Sequence, residues 1–490
     1  MKRKETCVNR STKRDNEVGA PPALEPQPMA SQEPEPPSTF DRRTFIKQGA
    51  LAVGAAAAAT GTLDKASSRF GSFFAKSAQP FKGTTLNVFA DANPQGEGVQ
   101  PLVKEFEKET GIRVNYQVVS ELSIIPKAEV ALAAGNGTLD VTWGGLSEKP
   151  AWVTAKWVDP IDHYLTDPTI VGKGFNTSDF VPACWKATEA NGKHYGLPTL
   201  LDTNILMYRK DILSAQHVAV PTTVAELVAA CAKVNKKPLP AIVLRGARSI
   251  HSNIWIFNIF YYAEGGSYYK GQPPGRGVPP GKLTANMGNA TDLKAFETYV
   301  DFWLKGYTPT GSANFDYPET TSTFKSGKAA MLVDDVVFAL EMVPALGDKV
   351  GFAPAPTGPD GMFPGFDTQM WYLAKGSRNK EAAVAFMAWT TSAAAQLAAA
   401  KNGKYIGVTR DSTFRSAAFR KFARPDVITA FKAVEPHLDI NHFVQTPSFT
   451  VVGDYMSIAV NAAASGTSSP SSALAGAQRQ AATYLATHQR

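Results

Sequence analysis

Cysteine is nearly absent: the 490-residue chain has three, and Cys7 stands in a polar N-terminal stretch. The other two, Cys184 and Cys231, would allow one disulfide or stand as buried free thiols, so no disulfide framework can hold this fold together. Histidine is also scarce. Seven are present, none at close metal-ligand spacing, and the nearest useful pair is His437 and His442. Gly-x-Ser-x-Gly, His-Glu-x-x-His and Cys-x-x-Cys are all missing, which removes the simplest hydrolase, metalloprotease and dithiol readings. A net charge of +7 is spread without any Lys/Arg-rich block; Lys236-Lys237 and Arg410 with Arg415 are isolated, so no nucleic-acid partner is expected. Gly277 to Gly281-Lys282-Leu283 has the wrong glycine spacing for a phosphate loop. Pro279-Pro280 removes two backbone donors there, and Leu283 replaces the hydroxyl such a loop needs. Long apolar runs are limited to one, residues 49–61. At ~1.5 Å per residue it reaches ~20 Å, short of the ~30 Å hydrocarbon layer.

That run is preceded by Asp41-Arg42-Arg43-Thr44-Phe45-Ile46-Lys47, which resembles a bacterial twin-arginine export signal. Asp41 stands where Ser or Thr is usual, and a Pro- and Glu-rich leader, residues 1–40, comes first and is expected to be disordered. No Leu-x-x-Cys acylation box follows. Small residues suited to cleavage occur at Ala75-Lys76-Ser77 and again within 55–59, which leaves both a cleaved signal and an uncleaved anchor open. The signal and its spacer are placed at 41–78, and the mature protein is expected in the periplasm after passage through the twin-arginine translocase.

The rest is ample for two domains: 44% of the chain is hydrophobic and 10% aromatic. Leu86, Val88 and Ala90 alternate as a strand. Val99, Leu102, Val103 and Phe106 recur at helical spacing, and Gly111 supplies a stop. A β-branched strand over 112–119, a helix over 124–134 and a short strand over 139–143 complete a βαβαβ pattern, hence a parallel sheet. Pro221-Thr222-Thr223 and Thr291-Asp292 read as helix starts, and helices are also expected over 379–391 and 471–485. Ligands of such sheets gather at the carboxyl ends of strands, where Asp91, Asn93 and Trp143 fall. Tyr261-Tyr262 and Tyr268-Tyr269 would suit a hard metal, but Trp255, Phe257 and Phe260 around the first pair favour packing. Aromatics and single carboxylates dispersed over distant segments are what a sugar site needs: rings stack on C–H faces, and Asp, Asn or Arg bind hydroxyl pairs.

Several blocks stand in order over 84–490: Phe106-Glu107-Lys108-Glu109-Thr110-Gly111-Ile112-Arg113-Val114, then Tyr195-Gly196-Leu197-Pro198 with Ile205-Leu206-Met207-Tyr208. Phe324-Lys325-Ser326-Gly327-Lys328-Ala329-Ala330-Met331 is the most specific, followed by Val350-Gly351-Phe352-Ala353-Pro354 and Asn379-Lys380-Glu381-Ala382-Ala383. Together they resemble the family 1 extracellular solute-binding proteins of ABC importers, the group that includes maltose-binding protein. The resemblance implies an α/β, two-lobe periplasmic binding protein fold (type II-like), with discontinuous lobes joined by crossing strands near 202–206, 330–334 and 368–373. Lobe 1 would hold 84–201 plus 335–368, and lobe 2 would hold 206–329 plus 373–490.

By the same resemblance, ligand contacts are expected from Asp91, Asn93, Trp143, Asp202, Trp255, Asp334, Asp335, Phe338, Asp367 and Trp371. Val336-Val337-Phe338 stands where maltose-binding protein has a double tryptophan, which argues against a maltodextrin. The implied function is capture of a carbohydrate or polyol in the interlobe cleft by a monomer that delivers it to an inner-membrane ABC permease, without enzymatic activity or cofactor. A polyamine or other small cation held by Asp202, Asp334, Asp335 and Asp367 is the alternative. A third reading is an exported carbohydrate-active enzyme, disfavoured because adjacent strand residues such as Asp334 and Asp335 point to opposite faces.

Overall fold

Among the described residues ten strands carry the architecture: β1 (Thr85–Asp91), β2 (Arg113–Val119), β3 (Val141–Gly144), β4 (Glu189–Ala190), β5 (Lys193–His194), β6 (Gly196–Arg209), β7 (Ile242–Val243), β8 (Met331–Asp335), β9 (Val350–Pro354) and β10 (Phe366–Leu373). They come from a computed structural model that describes residues 81–272, 277–279 and 281–488. The export segment at 41–78 and its leader lie outside the described residues. β4 and β5 form a small hairpin, and the others form one sheet in the order β2-β1-β3-β10-β6-β8-β7, with β9 also on β6.

β1 pairs in parallel with β2 and β3 through intervening helices, as the alternation of Leu86, Val88 and Ala90 predicts. β10 runs antiparallel to β3, with Trp371 opposite Trp143. β6 is the structural axis. Its first half pairs with β10, from Gly196 opposite Tyr372 to Thr203 opposite Phe366. Its second half pairs with β8 and β9, with Asn204 opposite Asp335 and Ile205 opposite Pro354. Fourteen residues at ~3.3 Å each make a single ~46 Å strand, long enough to serve two lobes.

Two hydrophobic cores result. The first gathers Leu86, Phe106, Val141, Trp152, Leu197, Trp371, Phe386 and Trp389. The second gathers Leu206, Leu227, Trp255, Phe257, Tyr262, Tyr299, Val333, Phe449 and Leu474. The capping read at Pro221-Thr222-Thr223 appears as a capping box in which Thr223 and Glu226 bond each other's backbone N–H. Cys184 belongs to the first core and Cys231 to the second, both as buried free thiols. Tyr261, Tyr262, Tyr268 and Tyr269 are all fully buried packing residues of the second core.

The structure moves three expected boundaries. β8 pairs with the second half of β6 and with β7, although its Leu332 packs into the first core, and the chain crosses after it, where Val336–Phe338 enters that core. β9 pairs with the second half of β6, and Ala355 joins the second core, whereas β10 pairs with β3 and the first half of β6, so the return to the first side is the loop before Phe366 rather than 368–373. Residues 374–431, expected in lobe 2, pack into the first core, and the chain returns to the second only at Val434. The reason is close packing. Phe386 sits against Phe106, Tyr116 and Trp371, and helix Ala393–Gly403 presses on helix Pro94–Val99. A Cβ on Gly98 would come within 2.3 Å of the Ala399 carbonyl oxygen, so only glycine permits that approach.

Candidate functional site

β1 and β3 end at the boundary between the two cores. Past Asp91 at the end of β1, Asn93 caps helix Pro94–Val99 by accepting from the Gly96 N–H at 2.8 Å. The same side chain donates to Gln369 Oε1 at 2.7 Å, and Trp143 Nε1 donates to that oxygen at 2.9 Å. Two donors commit the Gln369 carbonyl, so its amide N–H group is the end left for a ligand. Two residues earlier on β10, Asp367 Oδ1 accepts from the Leu146 N–H at 2.8 Å.

The second core contributes Arg245, just beyond β7. Its Nε donates to Asp334 Oδ1 at 3.0 Å and its Nη1 to the His251 carbonyl at 3.1 Å, while Nη2 bridges Asp334 and Asp335. Asp335 Oδ1 also accepts from Asn204 Nδ2 at 2.8 Å and from Trp255 Nε1. The guanidinium stands over the rings of Tyr317 and Phe338, which stack on each other at 5.2 Å with 8° between planes. Between the lobes, His251 Nε2 meets Glu148 Oε1 at 3.0 Å, and Glu148 also takes the Gly145 N–H and the Ser147 hydroxyl.

These groups enclose two voids of about 20 Å³ each, about one water apiece. Trp143, His251, Trp255, Asp367 and Phe443 line the first; Asp91, Asn93, Tyr317 and Phe338 line the second. Asp202, Arg245, Asp335 and Gln369 line both. Asp202 is 6% exposed, and its Oδ1 has no hydrogen-bond partner. Burial, and then the neighbouring charge of Asp335, push the Asp202 carboxyl well above the usual carboxylate range. Burial likewise pushes Asp335 and Asp367 up to about 6. For Glu148 burial acts in the same upward direction, yet the His251 charge and the hydrogen bonds around the carboxylate outweigh it and leave the group below its ordinary value.

The structure thus brings Asp91, Asn93, Trp143, Asp202, Trp255, Asp335, Phe338 and Asp367 to the cleft, and removes two others. Trp371 lies four residues beyond Asp367, ~13 Å down β10, fully buried against Tyr116 and Phe386 with its Nε1 on Thr390 Oγ1 at 3.0 Å. Asp334 is fully buried behind Asp335, tied to Arg245 and to the Thr320 hydroxyl at 2.9 Å, and lines neither void. Arg245, Gln369, Glu148, His251, Tyr317 and Phe443 were missed. Gln369 had a signal, since it shares strand alternation with Asp367, and Arg245 closes the apolar run Ala241-Ile242-Val243-Leu244. His251 and Phe443 lie outside any strand alternation, so nothing periodic points to them.

Residues 90–397, well over half of the chain, match the family model of the bacterial extracellular solute-binding proteins. The chain belongs to that family. Similar proteins include an erythritol/L-threitol-binding protein of Mycolicibacterium smegmatis, 24% identical over 70% of this chain and 73% of the relative. A mannitol-binding protein of Pseudomonas aeruginosa is 27% identical over 81% of this chain and 92% of its own. Among solved structures, a solute-binding protein of Agrobacterium vitis with bound D-mannitol superposes with a TM-score of 0.72 at 24% identity, covering 82% of this chain and 99% of that one. One from Agrobacterium radiobacter in complex with ribitol gives 0.73 at 20% identity, with the same coverage. The fold of this solute-binding protein is accordingly the two-lobe periplasmic binding protein fold, and its buried polar cleft lies where the lobes meet.

Proposed function

We propose that this solute-binding protein captures a polyol or sugar between its lobes and presents it to an ABC permease in the inner membrane, without altering the ligand covalently. The observation that carries the reading is Asp202. A buried carboxyl oxygen without a partner, facing both voids, is an acceptor held in reserve for a hydroxyl. Around it, Gln369 offers N–H groups, Asp367 and Asp335 offer acceptors, and Trp143, Trp255 and Phe338 supply ring faces for C–H surfaces. The relatives that bind erythritol and mannitol support the same chemistry.

A small cation is the competing ligand, because Asp202, Asp335 and Asp367 crowd one space while Arg245 is already paired with Asp334 and Asp335. A thermal-shift panel of erythritol, ribitol, D-mannitol, D-tagatose and maltose against putrescine and spermidine separates the two. Stabilisation by at least one polyol or sugar is expected; stabilisation by the amines alone overturns the reading.

Delivery to the periplasm would run through the twin-arginine translocase, as a folded monomer. Arg42→Lys combined with Arg43→Lys should leave the protein in the cytoplasm, and undiminished export of that variant would rule the route out.

A further inference from the structure

The inner voids are water-sized, but they are not the only space between the lobes. Just outside the second void lies a groove of about 750 Å³, walled by Pro94 and Glu97 on one lobe and by Ser322 and Lys325 on the other. Tyr317, Val337 and Phe338 line both the groove and the inner void, so the two spaces share an aromatic floor. The volume falls in the range of about 300–1,000 Å³ typical of small-molecule sites.

Resting on the polyol or sugar reading, we propose that the ligand is a glycosylated polyol or short oligosaccharide. One unit sits at Asp202 and Gln369, and the next glycosyl unit lies in this outer groove. Three features select that chemistry. The charges of the groove balance: Lys325 pairs with Glu341 at 2.7 Å, and Glu97 and Lys404 offset each other in sign. A neutral extension therefore fits better than a phosphate or a polyamine arm. The Tyr317–Phe338 stack offers a flat apolar surface for sugar C–H faces beside hydroxyl partners from Thr321 and Asn402. Pro94 and Pro101 on one wall and Pro318 on the other fix the local backbone, so each wall keeps its shape as the lobes close and little ordering entropy is lost within it.

The test compares maltitol, a glucosyl-hexitol, with D-glucitol, its own hexitol part, by titration calorimetry on the exported protein. The wild type should bind maltitol about tenfold or more tightly than D-glucitol. Ser322→Trp and Glu97→Trp fill the groove from opposite walls at exposed positions. Each should bring maltitol to within about twofold of D-glucitol while D-glucitol itself is unchanged. Two results overturn the proposal: D-glucitol bound as tightly as maltitol by the wild type, or an advantage for maltitol that survives both variants. Silence from both alcohols overturns it as well, and the thermal-shift panel then decides the polyol or sugar reading separately.

Discussion

Asp367 shows what the cleft costs the folded state. Its carboxyl is pushed up to about 6 by burial, with the Glu148 charge adding to the rise and the Leu146 and Thr368 N–H groups and the His251 charge opposing it. A carboxyl raised in the folded state holds its proton more tightly there than in the unfolded chain. Its stabilising contribution is therefore complete below the ordinary aspartate value near 4 and is lost as pH rises through about 6. Asp335, also pushed up to about 6, adds in the same sense. Asp367→Asn keeps an acceptor for Leu146 but removes the charge. It should stabilise the ligand-free protein by about 1–3 kcal/mol at pH 7.5, and the gain should shrink to about a third of that by pH 4.5 in urea titrations. An equal gain at both pH values would place the cost elsewhere. Trp371 and Trp143 separate along the same lines of burial and contact. Trp371→Ala should cost about 3–5 kcal/mol of stability, as for a core tryptophan. Trp143→Phe, which removes the hydrogen bond to Gln369, should weaken ligand binding with a smaller change in the melting midpoint.

Elements set how the lobes meet. The loop after β3 presents Glu148 to His251, on the turn before helix Trp255–Ala263, and the His251 carbonyl accepts from Arg245. The Glu148–His251 contact is thereby linked through one guanidinium to Asp335, a carboxylate that lines both voids. Glu148→Gln and His251→Gln should each raise the ligand dissociation rate about 3–30-fold, and the double variant no further than the larger single, because the two residues share one contact. Stopped-flow tryptophan fluorescence would read it through Trp143 and Trp255; additive effects would dissolve the pair. Elements also explain what the sequence made legible. The alternation of Leu86, Val88 and Ala90, the Thr223 cap and the stop at Gly111 each signal one local period, and the corresponding elements are present. The lobe of residues 374–431 was not legible. Helix Lys380–Thr390 has nine of its eleven residues buried, so no polar face indicates which core it serves. Trp371 was misplaced for a related reason: a strand buried on both sides throughout gives no sign of how deep a given residue lies.

At the scale of the molecule, β6 joins two cores that each assemble from discontinuous stretches, and the ligand-facing groups converge where its pairing changes from β10 to β8. Asp202 occupies that junction, opposite Asp367. Voids of about 20 Å³ are too small for a polyol, so on the proposed function ligand entry requires the lobes to part. The proposed ligand would then supply the hydrogen bond that Asp202 Oδ1 lacks, favouring the closed state by differential contact. Residues distant in sequence (Asp91, Arg245, Asp335 and Gln369) meet here only through the sheet order, which is why no local motif announced the site. Calorimetric titration of D-mannitol into the wild type and Asp202→Ala tests this most directly. The expected result is a micromolar dissociation constant, about −8 kcal/mol, weakened at least about tenfold in the variant while the variant stays folded. Heat from spermidine with none from D-mannitol or from any other polyol or sugar, or equal affinity in Asp202→Ala, would contradict it.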